Sequence, residues 1–276
     1  MRIDAHQHFW TLARGDYGWL TADLEVLYRD FGPEDLTPML KAAGIEGTVL
    51  VQAAPTVAET EFMLGLADRN SFIKGVVGWV DFESPDAPDE IARLAQHPAL
   101  VGLRPMIQDI ADPDWMLRGD LAPAFAALTG QDLTFDALVL PHHLSNLRRL
   151  LERYPQMRVV IDHGAKPRIA DGDFRDWATD MAAMARDTSA FCKLSGLVTE
   201  AAVGWTVDDL KPYVVHLLDT FGPERLIWGS DWPVCTLASS YERWLEATDI
   251  LLADLDSAAK SAILGGNATR AYRLRE

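Results

Sequence analysis

The amino-acid sequence predicts an α/β protein, a single (β/α)8 barrel of the TIM type that spans residues 1–276. Three observations support this class. Eight short apolar runs have the length and the β-branched content of buried strands. Helical periodicity fills the stretches between the runs, and 276 residues is about the length of one such barrel. A doubly wound open sheet would alternate in the same way, but no GxGxxG or P-loop motif follows any of the runs.

The eight predicted strands are mostly continuous in their apolar character. This pattern is typical of parallel strands that are buried on both faces. In chain order, the strands are predicted at Arg2–His8, Thr48–Ala53, Ile73–Val80, Leu100–Ile107, Thr134–Pro141, Met157–His163, Ala190–Leu197 and Leu226–Ser230. Reactive side chains of such a barrel are expected at the carboxyl ends of the strands, where the loops to the helices begin.

The predicted helices have apolar residues three or four positions apart, with charged residues on the other face. Leu144, Leu147, Leu151 and Tyr154 define one of them. The others are predicted near Glu59–Asp68, Glu90–Gln96, Leu121–Leu128, Phe174–Ala185, Val207–Thr220 and Tyr241–Ala253.

Proline, glycine and asparagine indicate where several helices are limited. Pro38 and Pro212 interrupt two helical segments, because proline lacks the backbone N–H of the helix and clashes with the preceding turn. Gly265 and Gly266 are expected to end a late helix, and Asn267 is expected to cap a last short one.

The connection from Phe9 to Gly32 is unusually long and has little regular pattern. Its aromatic residues are Phe9, Trp10, Tyr17, Trp19, Tyr28 and Phe31. Long loops in compact domains often form lids or walls of binding sites, which makes Trp10 a candidate substrate contact. An aromatic plug over one end of the barrel is the alternative interpretation.

The chain is strongly acidic, with 25 basic and 41 acidic residues and a formal net charge of −16. This balance argues against nucleic acid and anionic membranes as partners. The longest stretch without Asp, Glu, Lys or Arg, Gly47–Ala58, is too short to cross a bilayer. The amino terminus has the pattern of a buried strand rather than a signal peptide, and two cysteines are too few for a disulfide framework. We therefore expect a cytoplasmic protein.

Two histidines lie two residues apart on the first predicted strand, in the run Asp4-Ala5-His6-Gln7-His8. Alternate residues of a strand point to the same face, so His6 and His8 present their imidazoles side by side. Neutral imidazole is a good ligand for Zn, Fe or Mn. The pair is therefore a candidate metal site, with two ordinary histidines near a terminus as the alternative.

Several other predicted strands end in polar groups. His142 and His143 follow the fifth strand, His163 ends the sixth, and Asp231 follows the eighth. A single group of this kind is usually a hydrogen-bonded core residue, but the strand ends of a barrel converge, which favours a shared site. Arg104, at the end of the fourth strand, has a guanidinium that can clamp a carboxylate or vicinal hydroxyls, or form a structural salt bridge.

Seven motifs together carry a resemblance to a known family. They are Ile3-Asp4-Ala5-His6-Gln7-His8-Phe9-Trp10, Gly102-Leu103-Arg104-Pro105, Pro141-His142-His143-Leu144, Ile161-Asp162-His163-Gly164-Ala165-Lys166-Pro167, Lys193-Leu194-Ser195-Gly196-Leu197, Gly229-Ser230-Asp231-Trp232-Pro233 and Gly266-Asn267-Ala268. The sequence resembles the amidohydrolase superfamily over nearly its whole length, specifically amidohydrolase family 2 and its sugar-lactone lactonases.

The resemblance implies a distorted barrel whose site contains the first-strand histidines, later strand-end histidines and an aspartate after the eighth strand. Matched by motif, Asp231, His163 and His142 are the expected catalytic residues. The expected metal ligands are His6, His8 and Asp231.

The expected number of metal ions follows from a difference between this sequence and the superfamily members that bind two metals. No lysine ends the fourth or fifth strand, where it would be carbamylated to bridge two metals, and Lys166 and Lys193 lie elsewhere in their motifs. We therefore expect one divalent ion at most, with zinc as the first candidate. Metal-independent catalysis is the alternative.

Substrate contacts are expected from residues around this site. The candidates are Arg104, His143, Trp232 and Trp10, with Tyr241 as a further aromatic side chain that can pack on a sugar ring. Packing in the core is at least as good an interpretation of the aromatic candidates.

The resemblance implies a hydrolase that opens a sugar-acid lactone of the L-fuconolactone or L-rhamnonolactone type, with Asp231 as the general base that activates water. A small-molecule sugar lactone is then the expected partner. The alternatives are a metal-dependent decarboxylase of an aromatic or unsaturated carboxylic acid, which would release CO2, and a binding barrel without activity. The oligomeric state is not predicted.

Overall fold

The computed structural model describes residues 1–275 and contains the predicted barrel. Eight strands pair in chain order, and each is parallel to the next. The strands are β1 (Ile3–Gln7), β2 (Gly47–Val51), β3 (Ile73–Gly78), β4 (Leu100–Leu103), β5 (Thr134–Ala137), β6 (Val159–Ile161), β7 (Phe191–Leu194) and β8 (Leu226–Trp228). The (β/α)8 class is therefore confirmed.

The helices alternate with the strands and cover the outside of the barrel. They are α1 (Pro33–Ala43), α2 (Val57–Arg69), α3 (Ala87–Leu94), α4 (Ala122–Gly130), α5 (Leu144–Arg153), α6 (Arg175–Asp187), α7 (Leu197–Glu200), α8 (Val207–Phe221), α9 (Tyr241–Leu251), α10 (Ser257–Ser261) and α11 (Asn267–Tyr272). Every helix predicted from periodicity is present. None of the helices within residues 1–275 has the length and apolar character needed to cross a membrane.

Pro38 and Pro212 lie inside α1 and α8, and both helices continue through them. A proline inside a helix costs about 3 kcal/mol. Burying one leucine contributes about 1.5–3 kcal/mol. The buried face of α1 contains Leu36 and Leu40, and that of α8 contains Leu210 among others. Packing of these faces therefore outweighs the missing N–H groups.

The strands end earlier than the apolar runs predict. β4 ends at Leu103, immediately before Arg104, and β6 ends two residues before His163. The polar residues at the ends of the runs therefore belong to the loops, whose backbone is free to turn their side chains toward the barrel axis or away from it.

The end of the chain closes onto β8. Gly265 leaves the helical conformation, as predicted. The prediction that Asn267 caps the last helix is wrong, because Asn267 is the first residue of α11 and its amide is used elsewhere. Its Nδ2 donates to the carbonyl oxygens of Pro223 and Leu226, at 2.7 and 2.6 Å. The side chain thus ties α11 to the start of β8.

The barrel is distorted where β8 meets β1. The backbone N–H of Asp231 donates to the carbonyl of His6 at 2.8 Å, and that of His8 donates to Trp232 at 2.7 Å. Next to these bonds, the Asp4 carboxylate accepts from the backbone N–H of Ser230 at 2.8 Å. Pairing at this seam therefore uses the residues just past β8, and it places Asp231 directly beside β1.

The long connection after β1 packs as an aromatic cluster. The fully buried ring of Trp10 meets the rings of Trp19 and Phe31 edge to face, at 5.5 and 5.2 Å between centroids. Trp10 also donates its indole N–H to the carbonyl of Arg29. Trp10 thus belongs to a plug, whereas Trp19 is only partly buried and reaches the barrel mouth.

Candidate active site

A cluster of two imidazoles and one carboxylate lies at the carboxyl edge of the barrel. His6 comes from β1, His163 follows β6 and Asp231 follows β8. One nitrogen or oxygen of each side chain lies within 4.8 Å of the others, and all three residues are buried. Residues 225 positions apart in the chain meet here because the carboxyl ends of parallel strands meet at one edge.

His8 supports this cluster through its hydrogen bonds. Its Nδ1 lies 2.8 Å from the carbonyl oxygen of Val51, and its Nε2 lies 3.2 Å from Oδ1 of Asp231. The carbonyl fixes the orientation of the ring, and the ring in turn holds the Asp231 carboxylate. His8 is thus a neighbour of the three-residue cluster rather than one of its members.

The electrostatics of the cluster favour an ionised carboxylate beside a neutral imidazole. Burial raises the pKa of Asp231, whereas the neighbouring His163 and the hydrogen bond with His8 lower it. The lowering effects are larger, so the pKa lies below its ordinary value. Burial lowers the pKa of His163 to about 4. Near neutral pH, Asp231 is therefore able to accept a proton.

The loop after β6 holds His163 in an unusual backbone conformation. All four residues of the segment 163–166 are left-handed, with φ between 52° and 60°. The Nδ1 of His163 lies 2.8 Å from the hydroxyl of the fully buried Ser195. A Cβ on Gly196 would lie 2.5 Å from the same Nδ1, so only glycine leaves room for the ring.

Arg104 lies in the wall of the site and is also part of an ion pair. Its Nη1 is 3.2 Å from Oδ2 of Asp162 and 3.3 Å from Nε2 of His6, and its Nη2 donates to the side chain of Gln52 at 2.9 Å. The buried Nε has no protein partner. The guanidinium is therefore held rigidly, as the salt-bridge interpretation predicts, while it faces the same cavity as Asp231.

Sequence reasoning missed a buried charged group below the site. Lys193 on β7 is fully buried, and its Nζ lies 2.6 Å from Asp136, 2.9 Å from Asp162 and 3.1 Å from Nδ1 of His6. Burial raises the pKa of Asp162, but Lys193 and His6 hold it well below its ordinary value. A lysine within the apolar run Ala190–Leu197 was the available signal, because such a residue needs buried partners.

A cavity of about 300 Å³ opens above the cluster. Its polar lining includes His8, Arg104, His163 and Asp231. A second polar group in the lining comes from the loops after β4 and β6 and from α7, and it contains Gln108, Lys166 and Glu200. The apolar part of the lining consists of Trp19, Leu24, Ala53, Met106, Leu138, Val234 and Leu237. This volume and mixed lining suit one small polar ring.

Four predicted site residues lie away from this cavity in the part of the chain that the structure describes. His142 is exposed and lines a different surface cavity, and His143 is buried with its Nδ1 3.1 Å from the backbone N–H of Leu140. Both residues lie in the short turn Pro141–His143, and neither lines the cavity that contains Asp231. Trp10 and Trp232 are buried in the aromatic plug, where Trp232 packs on Phe31 and Phe9.

The aromatic candidate Tyr241 is also part of the core. It is buried, and its hydroxyl lies 3.2 Å from Oδ2 of Asp4 at the barrel seam. Of the predicted substrate contacts, Arg104 reaches the cavity.

The cluster fits a single divalent ion. Two imidazole nitrogens and a carboxylate oxygen converge within 4.8 Å. Three protein ligands of these kinds, with a further position left open, are typical of catalytic zinc. The predicted ligands His6 and Asp231 belong to this set together with His163, and the third predicted ligand, His8, lies 3.2 Å from Asp231.

A closed parallel barrel with imidazoles and a carboxylate at its carboxyl edge defines an enzyme of the (β/α)8 class, in which the reactive groups come from several strand ends. The family model described as "Amidohydrolase" matches residues 3–274. The chain belongs to this family, which confirms the resemblance identified from the motifs.

Similar proteins cover the chain from end to end. An L-fucono-1,5-lactonase of Burkholderia ambifaria is 47% identical over 99% of this chain and 96% of its own. An L-fucono-1,5-lactonase of Burkholderia multivorans is 38% identical over 100% of this chain and 97% of its own. The crystal structure of an amidohydrolase from Burkholderia multivorans with bound zinc superimposes with a TM-score of 0.93, at 37% identity and full coverage of both chains.

Proposed function

We propose that this protein is a lactonase that hydrolyses the internal ester of a sugar-acid lactone of the L-fucono-1,5-lactone type. The observation that carries the proposal is the buried carboxylate of Asp231 in the lining of a cavity of about 300 Å³, which Arg104 and His163 also line. The two full-length relatives that bear the name L-fucono-1,5-lactonase support the choice of substrate.

The proposed reaction begins with a water molecule next to Asp231. Its oxygen forms a bond to the lactone carbonyl carbon while its proton passes to the Asp231 carboxylate. The carbonyl oxygen becomes an oxyanion, which the guanidinium of Arg104 stabilises with N–H donors. The bond between the carbonyl carbon and the ring oxygen then breaks, and Asp231 returns the proton to that oxygen. The product is the open-chain hydroxy acid, and one acid equivalent is released.

His6, His163 and Asp231 are the residues that we propose to hold a divalent ion, with zinc as the first candidate. When bound, the ion supplies positive charge that polarises the lactone carbonyl. The similar structure with bound zinc supports this assignment.

Metal removal tests this assignment. We expect elemental analysis of the purified protein to find about one equivalent of zinc, and we expect chelation to lower both turnover and the thermal unfolding temperature, because bound metal stabilises the folded state. Metal-free protein with full activity and unchanged unfolding would contradict it.

A screen of aldonolactones with a pH indicator tests the proposed activity. We expect acid release from L-fucono-1,5-lactone without release of CO2. The release of CO2 from an aromatic or unsaturated carboxylic acid, with no acid release from any lactone, would assign the site to decarboxylation instead.

A further inference from the structure

The second polar group of the cavity is a connected cluster, which we call the rim cluster and which consists of Gln108, Lys166 and Glu200. The Nζ of Lys166 donates to Oε1 of Gln108 at 3.2 Å and lies 3.3 Å from Oε1 of Glu200. The three residues come from the loops after β4 and β6 and from the short helix α7. All three line the same cavity as Asp231.

The rim cluster differs from an ordinary surface ion pair in its burial and its support. The side chains of Lys166 and Glu200 are only 26% and 22% exposed. Lys166 ends the left-handed segment that begins at His163, so the same loop positions Lys166 and the His163 imidazole. The backbone therefore fixes Lys166 relative to the reacting atoms, which a flexible surface lysine would not achieve.

The charge of the rim cluster favours a neutral ligand. Lys166 is already paired with Glu200, and the cavity lining also contains the carboxylate of Asp109. A carboxylate on the ligand would therefore meet the negative charges of Glu200 and Asp109, and the Lys166 ammonium is already neutralised by Glu200. Hydroxyl groups suit the cluster better, because each one can both donate and accept a hydrogen bond.

We propose that Gln108, Lys166 and Glu200 form a subsite that binds vicinal hydroxyls of the lactone ring through hydrogen bonds. The ammonium donates to one hydroxyl oxygen, the carboxylate accepts from the neighbouring hydroxyl, and the amide serves either role. Much of the remaining lining is apolar, so ring hydroxyls outside the Asp231 cluster find their principal partners here. This inference rests on the proposed function and names the part of the substrate that gives specificity.

The experiment compares two lactones of the same ring size. L-fucono-1,5-lactone carries ring hydroxyls, whereas δ-valerolactone has the same six-membered ring and ester without them. We expect Lys166→Met and Glu200→Gln to lower kcat/KM for L-fucono-1,5-lactone about tenfold to a hundredfold more than for δ-valerolactone, because each removes a charged hydrogen-bond partner. Lys166→Arg, which keeps the donor, should recover most of that difference.

A surface ion pair of similar geometry provides the matched control. Arg148 and Asp187 lie 3.3 Å apart on the outside of the barrel. Arg148→Met should leave the ratio of the two kcat/KM values as it is in the wild type. Equal losses on both lactones in the Lys166 and Glu200 variants would overturn the inference and assign the rim cluster a purely structural role.

Calorimetry separates this inference from the proposed activity. We expect L-fuconate to bind the wild type more tightly than 5-hydroxypentanoate, and the Lys166 and Glu200 variants to lose that preference. If neither lactone is hydrolysed, the proposed function fails, but the binding preference still decides the subsite. Equal binding of the two acids by the wild type would overturn the subsite whatever the outcome of the kinetics.

Discussion

At the scale of single residues, Asp231 combines burial with ionisation. Burial raises the pKa of its carboxyl, but His163 and His8 beside it outweigh burial and hold the pKa below its ordinary value. Its backbone is left-handed, with φ of 58°, and its N–H is bonded to the carbonyl of His6. The barrel seam therefore positions the carboxylate that the proposed mechanism uses as its base.

Replacing this base tests its role. We expect Asp231→Asn to lower kcat about 100- to 10,000-fold, because an amide cannot take the proton from water. Because Asp231 is also a proposed metal ligand, the thermal unfolding temperature of the variant should fall no further than that of the metal-free wild type. The exposed Asp254 offers a control, and Asp254→Asn should leave kcat unchanged. Turnover of Asp231→Asn near the wild-type value would remove Asp231 from the mechanism.

Gly196 shows how a residue without a functional group controls the site. We expect Gly196→Ala to lower kcat/KM about 100-fold, because its Cβ would displace the His163 ring, and a misplacement of about 1 Å can cost that much. Gly172→Ala is the matched control, since Gly172 is also left-handed but has open space around its Cβ position. Both variants strain a left-handed backbone, and Gly196→Ala should lose more stability in urea unfolding because of the contact with His163. Equal activities would show that the ring tolerates the contact.

At the scale of elements, the loop from β2 to α2 depends on a buried carboxylate. Glu59 accepts hydrogen bonds from the backbone N–H groups of Ala53 at 3.0 Å and Ala54 at 2.7 Å. Burial raises the pKa of Glu59 to about 7 in spite of these bonds. The side chain of Glu59 therefore links the start of α2 to the loop after β2, and its contribution to the free energy of unfolding depends on pH.

The sign of this dependence follows from the raised pKa. The folded state holds the proton of Glu59 up to about pH 7, whereas the unfolded chain releases it near 4.5. The stabilising contribution is complete below 4.5 and is lost as the pH rises through 7. We expect the free energy of unfolding of the wild type to fall by about 2 to 3 kcal/mol relative to Glu59→Gln between pH 5 and 8. Parallel urea profiles for the two proteins would contradict this.

At the scale of the whole molecule, a buried charge network joins strands from both halves of the barrel. Lys193 on β7 pairs with Asp136 on β5 and Asp162 after β6, and it also contacts His6 on β1. Tyr272 of the last helix donates its hydroxyl to Asp136 at 2.8 Å. The interior of the barrel is thus held together partly by charges, and the same charges support the active-site imidazole.

Removing the central charge of this network should destabilise the whole barrel. We expect Lys193→Met to cost about 3–5 kcal/mol in urea unfolding, because it leaves two buried carboxylates without their cation. The double variant Lys193→Met/Asp136→Asn should recover part of that loss, and Lys211→Met on the exposed face of α8 should change little. Wild-type stability in Lys193→Met would show that Arg104 alone balances the carboxylates.

Much of the fold and part of the site were predictable because they depend on local patterns. Apolar runs and helical periodicity belong to neighbouring residues, so all eight strands and the principal helices could be predicted. The convergence of His6, His163 and Asp231 followed from parallel topology alone, since strand ends of a barrel meet at one edge. The motifs that carried the family resemblance contain the same residues.

Other residues could not be placed without the tertiary structure. His142 and His163 both follow strands, but His142 lies exposed in a short turn, whereas His163 lies buried in a left-handed segment and lines the cavity with Asp231. The backbone conformation of one or two loop residues makes this difference, and apolar periodicity does not encode it. The buried ion pairs of Lys193 were not predicted because its partners are distant in the chain, at Asp136 and His6.

The amino-acid sequence by itself thus determined the order of strands and helices, the edge of the barrel at which polar groups gather, and the family. The tertiary structure alone decided which of those groups face the cavity, which ones pack as core, and which charges balance one another. The physical reason is the distance along the chain between interacting residues. Secondary structure depends on residues within one or two turns of each other. The site depends on loop conformations and on contacts between residues that are up to 225 positions apart.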